Sequence, residues 1–233
     1  MGRTSFVIDD AMASIVRAPL ATPFRIATGQ HNELENVFLR LRTSDGISGY
    51  GEAAIATHIT GETAATTLTN LKATAAALQG RRIDGPEAVL KELSPCFNGN
   101  HAGLAALEMA LLDIFSREQG VPFYRIFAPP LAKVPVMSFA TDITIVIGTL
   151  DEAQAATRQY SERGFKTFKI KIGRDEELDL CRVLAVRQIA PESDLILDAN
   201  MGFSADRMLA FLGRLDERGV RPVLLEQPVL KDD

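Results

Sequence analysis

Four residues of this sequence could act together on a proton beside a carboxylate. Lys169 and Lys171 lie two apart in the run Thr167-Phe-Lys-Ile-Lys-Ile172. Strand geometry puts both lysines and Thr167 on one face, with Phe168, Ile170 and Ile172 on the other. Asp198 ends the apolar run Leu195-Ile-Leu-Asp198, and Glu226 ends Val223-Leu-Leu-Glu226. Lys171 and Asp198 are 27 positions apart and Asp198 and Glu226 are 28, so the three strand ends recur once per repeat. Alone, the lysine pair reads first as an edge strand with its cations in water, and either acid reads equally as a helix cap or a solvated loop residue. Two acids one repeat apart, beside an inward lysine pair, point instead to one shared site. Their hard oxygens suit Mg²⁺, which takes a few carboxylates and completes its octahedron with water and substrate oxygens. A lysine near a second lysine and a divalent cation is expected to have a lowered pKa and to act as a base near neutral pH. The metal and a charged Lys169 would then hold the resulting enediolate. Neither the cysteines nor His31, His58 and His101 form a ligand-spaced cluster, so no soft-metal site is indicated.

The elements that must position these residues alternate from about residue 134 onward. Strand Val134 to Ala140 leads to a helix with the capping box Thr149-Leu-Asp-Glu152, closed by Gly164. Strand Phe165 to Ile172 leads to a helix from Asp175 to Ile189. Strand Leu195 to Asp198 leads to a helix capped by Ser204 and closed by Gly219, and strand Val223 to Glu226 follows. This βαβαβαβ order implies a parallel sheet with crossover helices. Its beat matches the roughly 30 residues per unit of a (β/α) TIM-type barrel, whose active sites are built at the strand C-termini. Only about four barrel strands are expected before Asp233, so the barrel reads as truncated, with one edge and one face uncovered.

The first half reads as α+β. Strands run from Phe6 to Ile15, from Asn36 to Arg42, and on to Gly51-Glu52 after the turn Ser44-Asp-Gly46. Helices follow over Glu62 to Gln79, after a cap at Asp84 with Pro86 in the first turn, and over His101 to Gln119 with an apolar stripe. The expected division is 1–130 for this α+β domain and 131–233 for the barrel part. Gly46, Gly49 and Gly51 sit in a hairpin with no helix opening on them, which speaks against a dinucleotide loop. Glu52 reads as a solvated strand-end acid and His58 as part of a helix entry.

With 233 residues, 46% of them hydrophobic, the chain can bury a core. Lys+Arg 25 against Asp+Glu 30 leaves a net charge of −5 and no basic excess for a phosphate backbone, which excludes a nucleic-acid partner. No apolar run approaches the roughly 20 residues needed to cross a bilayer, and the start Met1-Gly-Arg-Thr-Ser-Phe6 lacks both an apolar signal core and a myristoylation pattern. A cytoplasmic protein with no membrane partner is expected, with Cys96 and Cys181 as reduced packing residues.

Lys169-Ile-Lys171, Leu197-Asp-Ala-Asn200 and Glu226-Gln-Pro228, in this order and spacing, resemble the enolase superfamily and its muconate-lactonizing subgroup. Ser44-Asp-Gly-Ile-Ser-Gly-Tyr-Gly-Glu52 and Ala106-Leu-Glu-Met-Ala-Leu-Leu-Asp113 extend the likeness through a capping domain. Thr141-Asp-Ile-Thr144-Ile and Glu226 to Asp233 look most like dipeptide epimerases of the L-Ala-D/L-Glu type. That superfamily uses a Lys or His base with Mg²⁺. The resemblance implies Lys171 as one of two acid/base lysines, Lys169 as the cation beside the substrate carboxylate, Asp198 and Glu226 as metal ligands, and Thr144 as a substrate contact. A third carboxylate ligand and a second catalytic lysine would lie beyond residue 233. The segments Thr22 to Gln30 and Ala56 to Glu62 would be loops that cover the site and select the side chain. Gly29 stands where epimerases of acidic dipeptides place an arginine, with Arg25 nearby as a candidate substrate contact. The implied activity is Mg²⁺-dependent inversion of a dipeptide α-carbon, in a possible homo-oligomer. Cycloisomerisation or dehydration, as in muconate cycloisomerases and o-succinylbenzoate synthases, is the alternative on the same scaffold. A truncated, non-catalytic scaffold is the alternative of another class.

Overall fold

The computed structural model describes residues 5–127 and 138–232. These form two compact units. One is built from the chain up to Pro19 and from Glu33 onward; the other takes Leu20–Asn32 and the residues after 137. Leu20–Asn32, although inside the first half of the sequence, thus groups with the second unit.

The first unit carries a four-stranded sheet in the order β3-β2-β1-β4, from β1 (Phe6–Ile26), β2 (Gly29–Thr43), β3 (Ser48–Ala53) and β4 (Arg82–Ile83). Val37, Leu39 and Leu41 of β2 alternate into the core and are fully buried, and Phe38, Arg40 and Arg42 face away. Four helices accompany the sheet: α1 (Thr57–Thr60), α2 (Ala64–Leu78), α3 (Pro86–Leu93) and α4 (His101–Gln119). A Cβ on Gly51 would lie 1.8 Å from the Ala106 carbonyl oxygen, and one on Gly49 would lie 2.3 Å from that of Ala110. The glycine-rich stretch thus lets α4 lie directly on β3, which is its structural purpose. A last helical turn, α5 (Tyr124–Phe127), ends the described part of this half.

Several local expectations need correction. The first two strands are far longer than expected, and 22–30 is the tip of a hairpin rather than a loop. Its turn, Ala27-Thr28, contains no glycine or asparagine and no residue of positive φ, so the usual hairpin signal is missing. Within 56–62 the chain makes the helical turn α1. Asp84 does not cap α3: the N-cap is Gly85, at φ 141°, and Asp84 accepts from Arg82 Nε at 2.8 Å instead. Cys96 and Cys181 are free, as expected, but both are exposed rather than packed. On the helix that carries Cys181 the buried stripe runs through Leu180, Arg182, Val183 and Val186, which leaves the thiol on the opposite face.

The second unit holds four parallel strands in sequence order: β5 (Ile143–Ile145), β6 (Thr167–Lys171), β7 (Asp194–Asp198) and β8 (Leu224–Glu226). Between them run α6 (Leu150–Glu162), α7 (Glu176–Ile189) and α8 (Ala205–Asp216). The first strand lies later than expected. Of Val134 to Ala140, residues 134–137 fall outside the described residues and 138–140 are not strand. The capping box of α6 forms in full, with Glu152 N–H donating to the Thr149 hydroxyl and Thr149 N–H to Glu152. Ser204 takes the N-cap position of α8 without a side-chain hydrogen bond. Phe168, Ile170, Leu195 and Leu197 bury one face of the sheet against Val183, Val186, Phe211 and Leu215 of the helices. Among the described residues no helix is long and apolar enough to cross a membrane.

Candidate active site

The sheet face opposite the helices gathers the residues singled out by their chemistry. Thr144 pairs with Lys169, Lys171 with Asp198, and Asp198 with Glu226 in consecutive ladders, so all five side chains leave the same face. Lys169 Nζ lies 2.9 Å from Asp198 Oδ2 and 2.7 Å from Glu226 Oε2, and Lys171 Nζ lies 2.6 Å from Asp198 Oδ2. Side-chain exposure grades across the cluster, from 1% at Asp198 and 8% at Lys171 to 19% at Lys169 and 39% at Glu226. The buried end is therefore the Lys171–Asp198 pair, and the open end is Glu226.

The chain past each acid is bent to serve this cluster. Asn200 and Met201 sit at φ 44° and 66°, and Gln227 at φ 42°, left-handed conformations that are costly outside glycine. The bend lets Asn200 N–H donate to Asp198 Oδ1 at 3.0 Å while Asn200 Oδ1 accepts from Lys171 Nζ at 3.1 Å. Met201 N–H donates to the Gln227 carbonyl at 2.7 Å, which ties the two turns together.

Electrostatics assign different characters to the groups. Burial works to lower the pKa of Lys169, but its hydrogen bonds to Glu226 and Asp198 outweigh burial and raise it. Lys169 is thereby held as a cation. Burial would raise the Asp198 carboxyl, yet the bonds from Lys171 and Lys169 bring it below its ordinary value. A single ammonium touching both Asp198 and Glu226 shows that one cation can reach both carboxylates. Two hard-oxygen ligands fit Mg²⁺, which is commonly held by one or two carboxylates and substrate oxygens. Among the described residues no third His, Cys, Asp or Glu completes a cluster.

Arg25 does not join this cluster. It lies at the hairpin tip, donating to Glu152 Oε1 of α6 at 3.3 Å and to Gln30 Oε1 at 3.3 Å. Its neighbour Phe24 has its ring centroid 5.7 Å from Lys171 Nζ. Arg25, Phe24 and Thr144 line a cavity of about 400 Å³ beside α6. Reading by residue type missed Phe24 and Asn200. An Asn two positions after a strand-end acid was a usable signal for the second; nothing local marked the first, because its partner is 147 residues away. Glu52 is exposed and accepts from Asn36 Nδ2 at 2.7 Å.

Residues 10–127 match the mandelate racemase / muconate lactonizing enzyme N-terminal domain, and residues 151–233 match the enolase C-terminal domain-like family. The chain is 67% identical over 229 residues to a hydrophobic dipeptide epimerase of Citrifermentans bemidjiense, covering 98% of this chain and 62% of that protein. It is 30% identical to a solved L-Ala-D/L-Glu epimerase from Bacillus subtilis in a substrate-liganded complex, with a TM-score of 0.87 over 97% of this chain and 63% of that one. A dipeptide epimerase from Enterococcus faecalis, solved with Mg and the dipeptide L-Leu-L-Tyr, superposes with a TM-score of 0.83 at 27% identity, covering 97% of this chain and 62% of that one. The chain thus spans about 62% of the length of these relatives.

Proposed function

The chain belongs to the enolase superfamily, with the N-terminal domain of the mandelate racemase / muconate lactonizing type, and on that premise we propose that it supplies one base, the cationic clamp and two metal ligands of a Mg²⁺-dependent epimerase acting on dipeptides with apolar side chains. The observation that carries this reading is the Lys169–Lys171–Asp198–Glu226 cluster on consecutive parallel strand ends. Lys171 acts as the base that takes the proton from the α-carbon of one dipeptide residue. The C–H electron pair moves into the adjacent carboxylate to give an enediolate. Lys169 stays charged and sits beside that carboxylate, where its ammonium stabilises the growing negative charge. Return of a proton to the opposite face, from a second base, gives the inverted centre. Asp198 and Glu226 would hold Mg²⁺, which supplies positive charge toward the substrate carboxylate. Asp198 and Asn200 aim Lys171 by accepting from its Nζ.

The preference for apolar side chains rests on the hairpin tip. Phe24 puts an aromatic face next to Lys171, Arg25 is already engaged by Glu152, and Gly29 offers no side chain. The Citrifermentans bemidjiense relative, named for hydrophobic dipeptides, supports the same choice. The test is chiral chromatography of L-Ala-X dipeptides incubated with the whole protein and Mg²⁺. L-Ala-L-Leu and L-Ala-L-Phe should convert to L-Ala-D-X faster than L-Ala-L-Glu. Unchanged configuration throughout the panel overturns the reading, and loss of water from a hydroxylated carboxylate would favour the dehydratase alternative.

A further inference from the structure

A buried ion pair behind the active face has no part in the chemistry above. Arg182 of α7 is fully buried, and Asp179, one turn earlier, is 1% exposed. Their side chains meet at 2.8 Å. Burial pushes the Asp179 carboxyl up and the Arg182 guanidinium down, so charge on either carries an electrostatic cost. Apolar residues of similar volume would serve stability as well or better. What the pair does instead is visible in its remaining bonds.

The β5–β6 ladder ends at the Ile145–Ile170 rung. Beyond it β5 turns away, and Ile147 N–H donates to the Arg25 carbonyl of the hairpin tip at 3.1 Å. The split leaves the carbonyls of Val146 and Lys171 without strand partners. Arg182 fills it, with Nη1 donating to the Lys171 carbonyl at 2.9 Å and Nη2 to the Val146 carbonyl at 2.5 Å. Asp179 Oδ2 accepts from Gly173 N–H at 2.7 Å and Arg174 N–H at 3.3 Å, which fixes the first residues past β6. The two side chains therefore hold the backbone at the Lys171 carbonyl and just past it, and among the described residues Arg182 Nε is buried without a hydrogen-bond partner.

We propose that Arg182, locked by Asp179, is a positioning residue for the reaction: it takes the place of the missing ladder rung and sets the backbone of Lys171, and so the point where its amine meets the α-carbon. The inference rests on Lys171 being the base, as proposed above. Displacements near 1 Å at a reacting group can cost about 10²-fold in rate, so the effect is large although Arg182 touches no substrate.

The test uses the whole protein with Mg²⁺ in heavy water and two probes, L-Ala-L-Leu and L-Ala-D-Leu, following loss of the α-proton by NMR. Lys171→Ala identifies the epimer whose proton Lys171 removes. Arg182→Lys and Asp179→Asn are then measured on both epimers, alongside their melting temperatures. The expected result is at least tenfold slower exchange of the Lys171-dependent epimer, with the other epimer within about threefold of wild type, and a milder loss in Arg182→Lys than in Arg182→Met. A merely architectural pair would slow both epimers alike or neither, and that result overturns the proposal. So does failure of both conservative variants to fold. No exchange of either epimer by the wild-type protein would instead overturn the epimerase reading on which the proposal stands.

Discussion

Asp198 and Glu226 face one another as partners on the last shared rung of two parallel strands. Each residue closes an apolar run, so the strands that bury the core also deliver two carboxylates to the same edge. Substituting Asp198→Asn should therefore act on two readouts. Mg²⁺ affinity by calorimetry should fall by more than about tenfold. Stability should also fall, by about 3 kcal/mol, because both ammoniums lose their shared buried partner. An unchanged Mg²⁺ isotherm would remove Asp198 from the ligand set.

The two glycines that follow β6 and β7 pack backbone to backbone. A Cβ on Gly202 would meet the Gly173 oxygen at 2.6 Å and its Cα at 2.7 Å. Gly202→Ala should destabilise by about 1–3 kcal/mol and loosen the turn that carries Asn200. Gly213→Ala is the matched control. It sits inside α8 with nothing within 4 Å of a new Cβ. There the substitution should stabilise by about 0.5–1 kcal/mol through helix propensity. Denaturant melts of the two variants should thus move in opposite directions, and a shared direction would contradict the packing argument.

Much of this arrangement was legible in the residues. The alternation of Lys169 and Lys171 with Phe168 and Ile170 set the two faces of β6. The capping box Thr149–Glu152 and the glycines closing α6 and α8 fixed element limits to within a few residues. The hairpin tip was not legible. Thr22 to Gln30 is a loop only by the family resemblance, whereas pairing of β1 with β2 and contacts within the second unit hold it as the end of two strands. Arg182 was invisible for a different reason, since a single arginine among Leu180, Val183 and Val186 reads as a solvent-facing position until the carbonyls it serves are placed.

The acid side of the stability profile should depend on Glu62. This residue is buried in the first unit, where its Oε1 accepts from Ala102 N–H at 2.8 Å and Asn100 Nδ2 at 3.0 Å. Burial alone would raise its pKa, but the bonds from Ala102, Thr60 and Asn100 outweigh burial and lower it below the ordinary 4.5. Because the folded-state pKa is depressed, the contribution is fully present above the unfolded value and is lost as pH falls through the lowered folded value. Glu62→Gln should cost about 1–3 kcal/mol at pH 7, with the gap to wild type closing as pH falls through the lowered folded-state value. A gap that stays constant from pH 7 to pH 3 would contradict this.

The proposed role of Lys171 is to remove a proton from a dipeptide α-carbon. The most direct measurement is deuterium uptake at that carbon when the whole protein is incubated with Mg²⁺ and L-Ala-L-Leu or L-Ala-D-Leu in heavy water, wild type against Lys171→Ala. Wild type should label both epimers, and the variant should lose about 10²- to 10⁴-fold of the rate for one of them, the range for removing a positioned general base. Equal labelling of both epimers by Lys171→Ala and wild type would show that Lys171 is not the base.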